Sequence, residues 1–139
     1  MSRSSSSADR RPALVSLVVA GCAAAAWAVW LGWDQTRDVH PDGSVTGPYE
    51  AWQVVGLVLT LFVPVCWATL RGHSRAAGLG TTAGLAVAAG YDWSDDASGL
   101  FMVGVTMLVL GSLAGTALIT GIVNAVHGAA RGWGRRAAH

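Results

Sequence analysis

No lysine occurs anywhere in the 139-residue sequence, and charged residues of every kind make up only 12% of it. A soluble domain ordinarily carries about a quarter charged residues. That shortfall, beside 53% apolar residues, excludes an ordinary water-soluble globule and points to a bilayer as the solvent. The net charge of +1 supplies no basic stripe, so nucleic acid is not an expected partner. Cysteine is scarce too: Cys22 and Cys66 stand 44 positions apart, whereas thiol–disulfide chemistry needs a close pair at an accessible surface. No Asp, Glu or Arg falls inside the long apolar runs. Coupled transporters place such residues there at a cost accepted for function.

What is present is four apolar segments, at residues 13–33, 51–70, 76–91 and 100–123. A helix needs about 20 residues to cross roughly 30 Å of hydrocarbon. Three segments meet that length, and the third, rich in Ala, Gly and Thr, does not. Charge placement settles the expected count. Arg3, Arg10, Arg11, Arg71, Arg75, Arg131, Arg135 and Arg136 share one side if all four segments cross, while Asp34, Asp38, Asp42, Glu50, Asp92, Asp95 and Asp96 share the other with Arg37 alone. Cytoplasmic loops collect Arg. The expected fold is therefore an all-α, polytopic four-transmembrane-helix bundle with both termini in the cytoplasm. Its expected parts are a disordered cytoplasmic N-terminus at 1–12, a transmembrane domain at 13–126 and a basic cytoplasmic tail at 127–139. Within the domain, 34–50 and 92–99 are outer loops and 71–75 an inner one.

Trp33, Tyr49, Trp52, Tyr91 and Trp93 fall at the expected outer boundary, where half-wet aromatic rings prefer to sit. Trp27, Trp30 and Trp33 recur every third residue and read as a lipid-facing anchor on one arc of the first helix. Val19-Ala20-Gly21-Cys22 has the look of a lipoprotein cleavage site, but residues 23–33 continue apolar where a lipoprotein tether turns polar. Pro64 is expected to bend the second segment.

Small residues mark where backbones approach in lipid, because no hydrophobic drive operates there. Gly80 and Gly84 are four apart on the third segment, and Gly104, Gly111 and Gly115 share a face of the fourth. The expectation is that these two faces pack on each other across the short 92–99 connection, with homo-oligomerisation as the competing use.

Motifs for chemistry are sparse. Asp38, His40 and Asp42 alternate like the start of a calcium loop, but the later glutamate is lacking; they are the metal-site candidates, with Asp92, Asp95 and Asp96 nearby if the bundle closes. Gly111-Ser112-Leu113-Ala114-Gly115 does not match a serine-nucleophile turn, whose order is Gly-x-Ser-x-Gly. His73 and His127 lie at the cytoplasmic boundary, shallow for haem ligands. Asn124 reads as an interhelical or headgroup hydrogen-bonding residue. No cofactor and no catalytic residue is expected.

Gly47-Pro48-Tyr49-Glu50-Ala51-Trp52-Gln53 opens the second segment, with Pro48 and Glu50 suited to a helix start. This stretch, with residues 34–53 around it, resembles a group of small four-helix integral membrane proteins of high-GC Gram-positive bacteria that has no established function. The resemblance implies the four-helix architecture and carries over no site residues. Expected partners are the lipid bilayer and either a second copy or another membrane protein. The expected role is a non-enzymatic bundle; the alternative is a small transporter or channel with an acidic outer mouth.

Overall fold

The computed structural model describes residues 5–34, 36–95 and 99–137, and side chains from Arg10 onward; Arg3, Gln35, Asp96 and His139 lie outside the described residues. Four helices follow one another: α1 Ser5–Trp30, α2 Ala51–Leu70, α3 Ser74–Asp92 and α4 Phe101–Ala137. Between α1 and α2 a two-residue antiparallel ladder pairs β1 (Asp38–Val39) with β2 (Val45–Thr46). The chain is thus all-helical in character. Three of its helices, α1 from Arg10 onward, α2 and α4, are long and apolar enough to cross a membrane.

Local chemistry explains the boundaries. At the start of α2 the Gln53 side chain accepts a hydrogen bond from the Glu50 backbone N–H at 2.6 Å, half of a capping box that satisfies donors the first turn leaves orphaned. Its end is a Schellman motif: Gly72, at φ 78°, donates its N–H to the Thr69 carbonyl, and His73 donates to that of Ala68, both at 2.9 Å. Only glycine adopts that left-handed conformation without strain. α2 runs unbroken through Pro64.

Two termini differ from expectation. The stretch read as a disordered N-terminus is helical from Ser5, and the basic tail is continuous with α4 to Ala137. Apolarity marks where hydrocarbon would be, not where a helix stops; once nucleated, a helix of Ala, Ser and Arg adds one backbone bond per residue.

The helices alternate in direction. Contacts climb α1 and α3 together, from Ser16 beside Gly80 and Ala20 beside Gly84 to Trp27 beside Asp92. α2 runs the other way, with Gly56 against Trp30 and Val65 in one cluster with Val19. α4 is antiparallel to α3, with Gly104 against Trp93, and Asn124 Nδ2 donates to Ser74 Oγ at 3.4 Å. Asn124 therefore makes an interhelical hydrogen bond.

The tightest contact is α1–α3. A methyl group built on Gly80 would lie 2.5 Å from the Ser16 carbonyl oxygen, and one on Gly84 would overlap that of Ala20. These glycines consequently serve α1, not α4 as expected. Gly111 and Gly115 meet nothing within 4 Å, and Gly104 meets the Trp93 ring rather than another glycine. The α3–α4 contact exists but is built from other atoms, such as Gly78 against the Thr116 methyl. A glycine pair announces a close approach without naming the partner helix.

The core forms two clusters. One gathers Ala23, Ala26, Trp27, Leu31, Leu57, Leu61, Leu85 and Ala89; the other, nearer the arginine-bearing end, holds Val19, Val65, Ala68 and Ala77. α3 lies in the middle and α4 at the margin, where Thr116 is its only buried residue.

Candidate functional site

The acidic end of the bundle holds the densest polar arrangement among the described residues. Trp27 reaches it from α1, Tyr49 from the segment before α2, and Asp92 and Trp93 from the end of α3. One carboxylate oxygen, Asp92 Oδ2, accepts from the Tyr49 hydroxyl at 2.5 Å and from Trp27 Nε1 at 3.3 Å. Trp93 Nε1 then donates to the Tyr49 oxygen at 2.9 Å. The rings meet edge to face, Trp27 with Tyr49 at 5.9 Å and with Trp93 at 5.6 Å between centroids. Edge-to-face aromatic pairs contribute about 0.5–1.5 kcal/mol beyond the area they bury.

Burial pushes the Tyr49 phenol well above the ordinary tyrosine range, reinforced by its bond to Asp92 and opposed by the one from Trp93. The arrangement thus keeps a neutral donor against a carboxylate. Its evident capacity is mechanical: three chain segments far apart in sequence are tied at one oxygen pair. A second tie lies beside it. Gln53, fully buried, donates from Nε2 to Asp34 Oδ2 at 3.1 Å, joining α2 to the end of α1.

The tryptophan stripe divides. Trp27 is buried in the bundle, Trp30 packs over Gly56 and donates to Thr60 Oγ1 at 3.0 Å, and only Trp33 is left exposed, its Nε1 bonded to the Val29 carbonyl. The stripe is therefore not a uniform lipid-facing anchor. A period of three drifts about 60° per step against the helix, enough to carry one ring inward and another out.

The metal candidates are elsewhere, on the hairpin. Asp42 Oδ1 accepts from the Ser44 hydroxyl and backbone N–H, which holds its carboxyl below the usual range. Gly43 at φ 82° closes that turn, as the Pro-Asp-Gly signal indicates. His40 Nε2 lies 3.1 Å from Thr46 Oγ1, and Asp38 belongs to β1. Among the described residues no three His, Cys, Asp or Glu side chains converge on one point.

Two cavities adjoin the aromatic tie. The first, about 490 Å³, is mixed in character, bounded by the charged groups of Arg37, Asp92 and Asp95, by Tyr49 and Trp93, and by apolar Pro48, Leu100 and Phe101. The second, about 400 Å³, is apolar and runs between α2 and α4 from Tyr49 and Trp93 to Val65, Thr81, Thr116 and Ile119. Tyr49 and Trp93 line both. Sequence reasoning missed this site: Tyr49 and Trp93 were read as boundary aromatics, Asp92 as a topological marker. No protein-family model, curated protein or solved structure matches the chain.

Proposed function

We propose that this chain is a multi-pass protein of a bacterial plasma membrane, crossing four times with both termini cytoplasmic, and that it acts without catalysis by assembling laterally with a second copy or another membrane protein. Support for the fourth crossing comes from the position of α3. It runs beside α1 in the same direction, and its 19 residues reach about 28 Å, close to the hydrocarbon thickness of about 30 Å. Its Ala, Gly and Thr content, too polar for a lipid-facing helix, suits one shielded by three neighbours that must approach closely. Arg71 and Arg75 lie before or within its first turn and Asp92 and Asp95 at its far end, which accords with arginine-rich cytoplasmic loops.

The observation that carries the assembly reading is α4. Its 37 residues extend about 55 Å, well beyond a bilayer. Ala114, Gly121, Ala125, Gly128 and Gly132 are exposed; at 100° per residue they occupy an arc of about 60°. Gly121, Gly128 and Gly132 meet nothing within 4 Å. The part of this strip within the apolar run, from Ala114 to Ala125, is what helix association in lipid requires, and no other helix of this chain packs on it. The alternative, a small transporter or channel, draws on the charge-bearing cavity at the acidic end, but that cavity leads inward to an apolar slot rather than a polar path.

Native mass spectrometry of the full chain in mild detergent tests the reading. A defined oligomer that Gly121→Leu converts to monomer supports self-assembly, and a defined complex with another membrane protein, also lost in Gly121→Leu, supports the other form. A monomer with no partner, or an assembly indifferent to Gly121→Leu, overturns it.

A further inference from the structure

The apolar slot between α2 and α4 has a definite shape. It is lined on α2 from Val54 to Val65 and on α4 from Leu108 to Ile119; each stretch advances eleven residues, or about 16 Å. A volume of about 400 Å³ spread along that length makes a long, narrow slot with room for a hydrocarbon chain. One leaflet of a bilayer has a hydrocarbon depth of about 15 Å, so the slot runs from the interfacial aromatics to mid-membrane. Val58 is exposed along one edge and Gly111 and Gly115 along the other, which leaves the slot open sideways to lipid. At its acidic end it meets the first cavity across Tyr49 and Trp93, and that cavity carries charges of both signs, Arg37 with Asp92 and Asp95, beside apolar Leu100 and Phe101.

We infer that this slot and cavity together form a binding site for one zwitterionic aminophospholipid of the outer leaflet, one acyl chain lying in the slot and the headgroup in the charge-bearing cavity. The inference rests on the membrane-spanning reading given above. The amine of such a headgroup meets Asp95, and its phosphate meets Arg37 in addition to the interaction that Arg37 already makes. The ester region lies level with Tyr49 and Trp93. An acyl chain demands nothing of the slot beyond apolar walls, and only Thr81, Ser112 and Thr116 interrupt them along the stretch below the aromatics. Thr116 Oγ1 already donates to the Ser112 carbonyl at 2.6 Å. The Thr81 hydroxyl is buried without a partner, so it is the residue that separates an acyl chain from a ligand with a polar group at its deep end.

The test is native mass spectrometry of the protein equilibrated in mild detergent with an equimolar mixture of phosphatidylethanolamine and phosphatidylglycerol carrying identical acyl chains. The expected result is one retained lipid per chain, predominantly phosphatidylethanolamine. Gly115→Leu fills the slot from a position where an added carbon meets nothing within 4 Å, so it spares the fold; it is expected to lower retention by roughly tenfold. Asp95→Asn is expected to reduce the preference for phosphatidylethanolamine. Thr81→Val is expected to leave retention unchanged. No retained lipid, equal retention of the two lipids, or full retention by Gly115→Leu overturns the inference. Loss of retention in Thr81→Val overturns it in favour of a hydrogen-bonding apolar ligand. Oligomeric state in the same spectra and thiol labelling of the α3 ends score assembly and crossing independently, so failure of the lipid site is distinct from failure of either.

Discussion

Replacing Gly84 by alanine inserts one methyl group into the narrowest contact of the bundle. The added carbon would lie 2.9 Å from the Ala23 side chain and 3.0 Å from the Ala20 carbonyl carbon, and would overlap the carbonyl oxygen. Two of those three atoms are backbone, so no side-chain rotation relieves the clash and α1 must move away from α3. Overpacking of this kind costs about 1–3 kcal/mol. The better helix propensity of alanine offsets at most about 1 kcal/mol. With the full offset the net loss is about 0–2 kcal/mol, up to a factor of about 30 in the ratio of folded to unfolded protein, and the difference from a clash-free glycine-to-alanine change is about 1–3 kcal/mol. Gly90→Ala is the matched control on the same helix, since a carbon added there meets nothing within 4 Å; it is expected to be neutral or stabilising by up to about 1 kcal/mol. Reversible unfolding in mixed micelles, titrated from mild detergent into dodecyl sulfate and followed by tryptophan fluorescence, reads both variants, because Trp27 and Trp93 meet where α1 and α3 end. Equal stability of Gly84→Ala and Gly90→Ala would refute the close α1–α3 packing.

Two further outcomes concern the acidic end. The Tyr49 phenol is raised mainly by burial, so its neutral form is favoured in the folded protein. Its contribution to stability is complete below the unfolded tyrosine value of about 10 and is lost as pH rises through the higher folded value. In a Tyr91→Phe background, the tyrosinate absorbance should therefore stay low above pH 10 until the protein unfolds; ionisation at the ordinary tyrosine pH would contradict the geometry. Gln53→Leu leaves the Glu50 N–H and the Asp34 carboxylate without the partner each now has, and the expected loss is about 1–3 kcal/mol in the same unfolding assay. A variant as stable as the parent would show that Gln53 does not tie α1 to α2.

The sequence made some features readable and hid others for physical reasons. The bounds of α2, 51–70, follow from local signals: Pro48 and Glu50 ahead of the apolar run and a left-handed Gly72 behind it. Hydropathy overran at neither end there; it understated the start of α1 and the end of α4, where the helices extend into Ser, Ala and Arg, and it overran the end of α1, which stops at Trp30 and not at residue 33. Gly80 and Gly84 announced a close contact, yet their partner could be named only once α1 was seen beside α3; nearness in sequence pointed to α4 instead. The aromatic tie was invisible for a similar reason. Tyr49 and Asp92 are separated by 43 positions and Trp27 and Asp92 by 65, and nothing in a single sequence couples residues at that range. Boundary aromatics and topology-obeying acids were sufficient readings of each residue alone.

The central claim is that α3 crosses the membrane as the shielded member of a four-helix bundle, and labelling of its two ends tests this most directly. In a chain with Cys22 and Cys66 replaced by alanine, Ser94→Cys and Ser74→Cys report the two sides to a membrane-impermeant maleimide. The account predicts that Ser94→Cys labels in intact cells and Ser74→Cys only after permeabilisation. Labelling of both residues from the same side would contradict it.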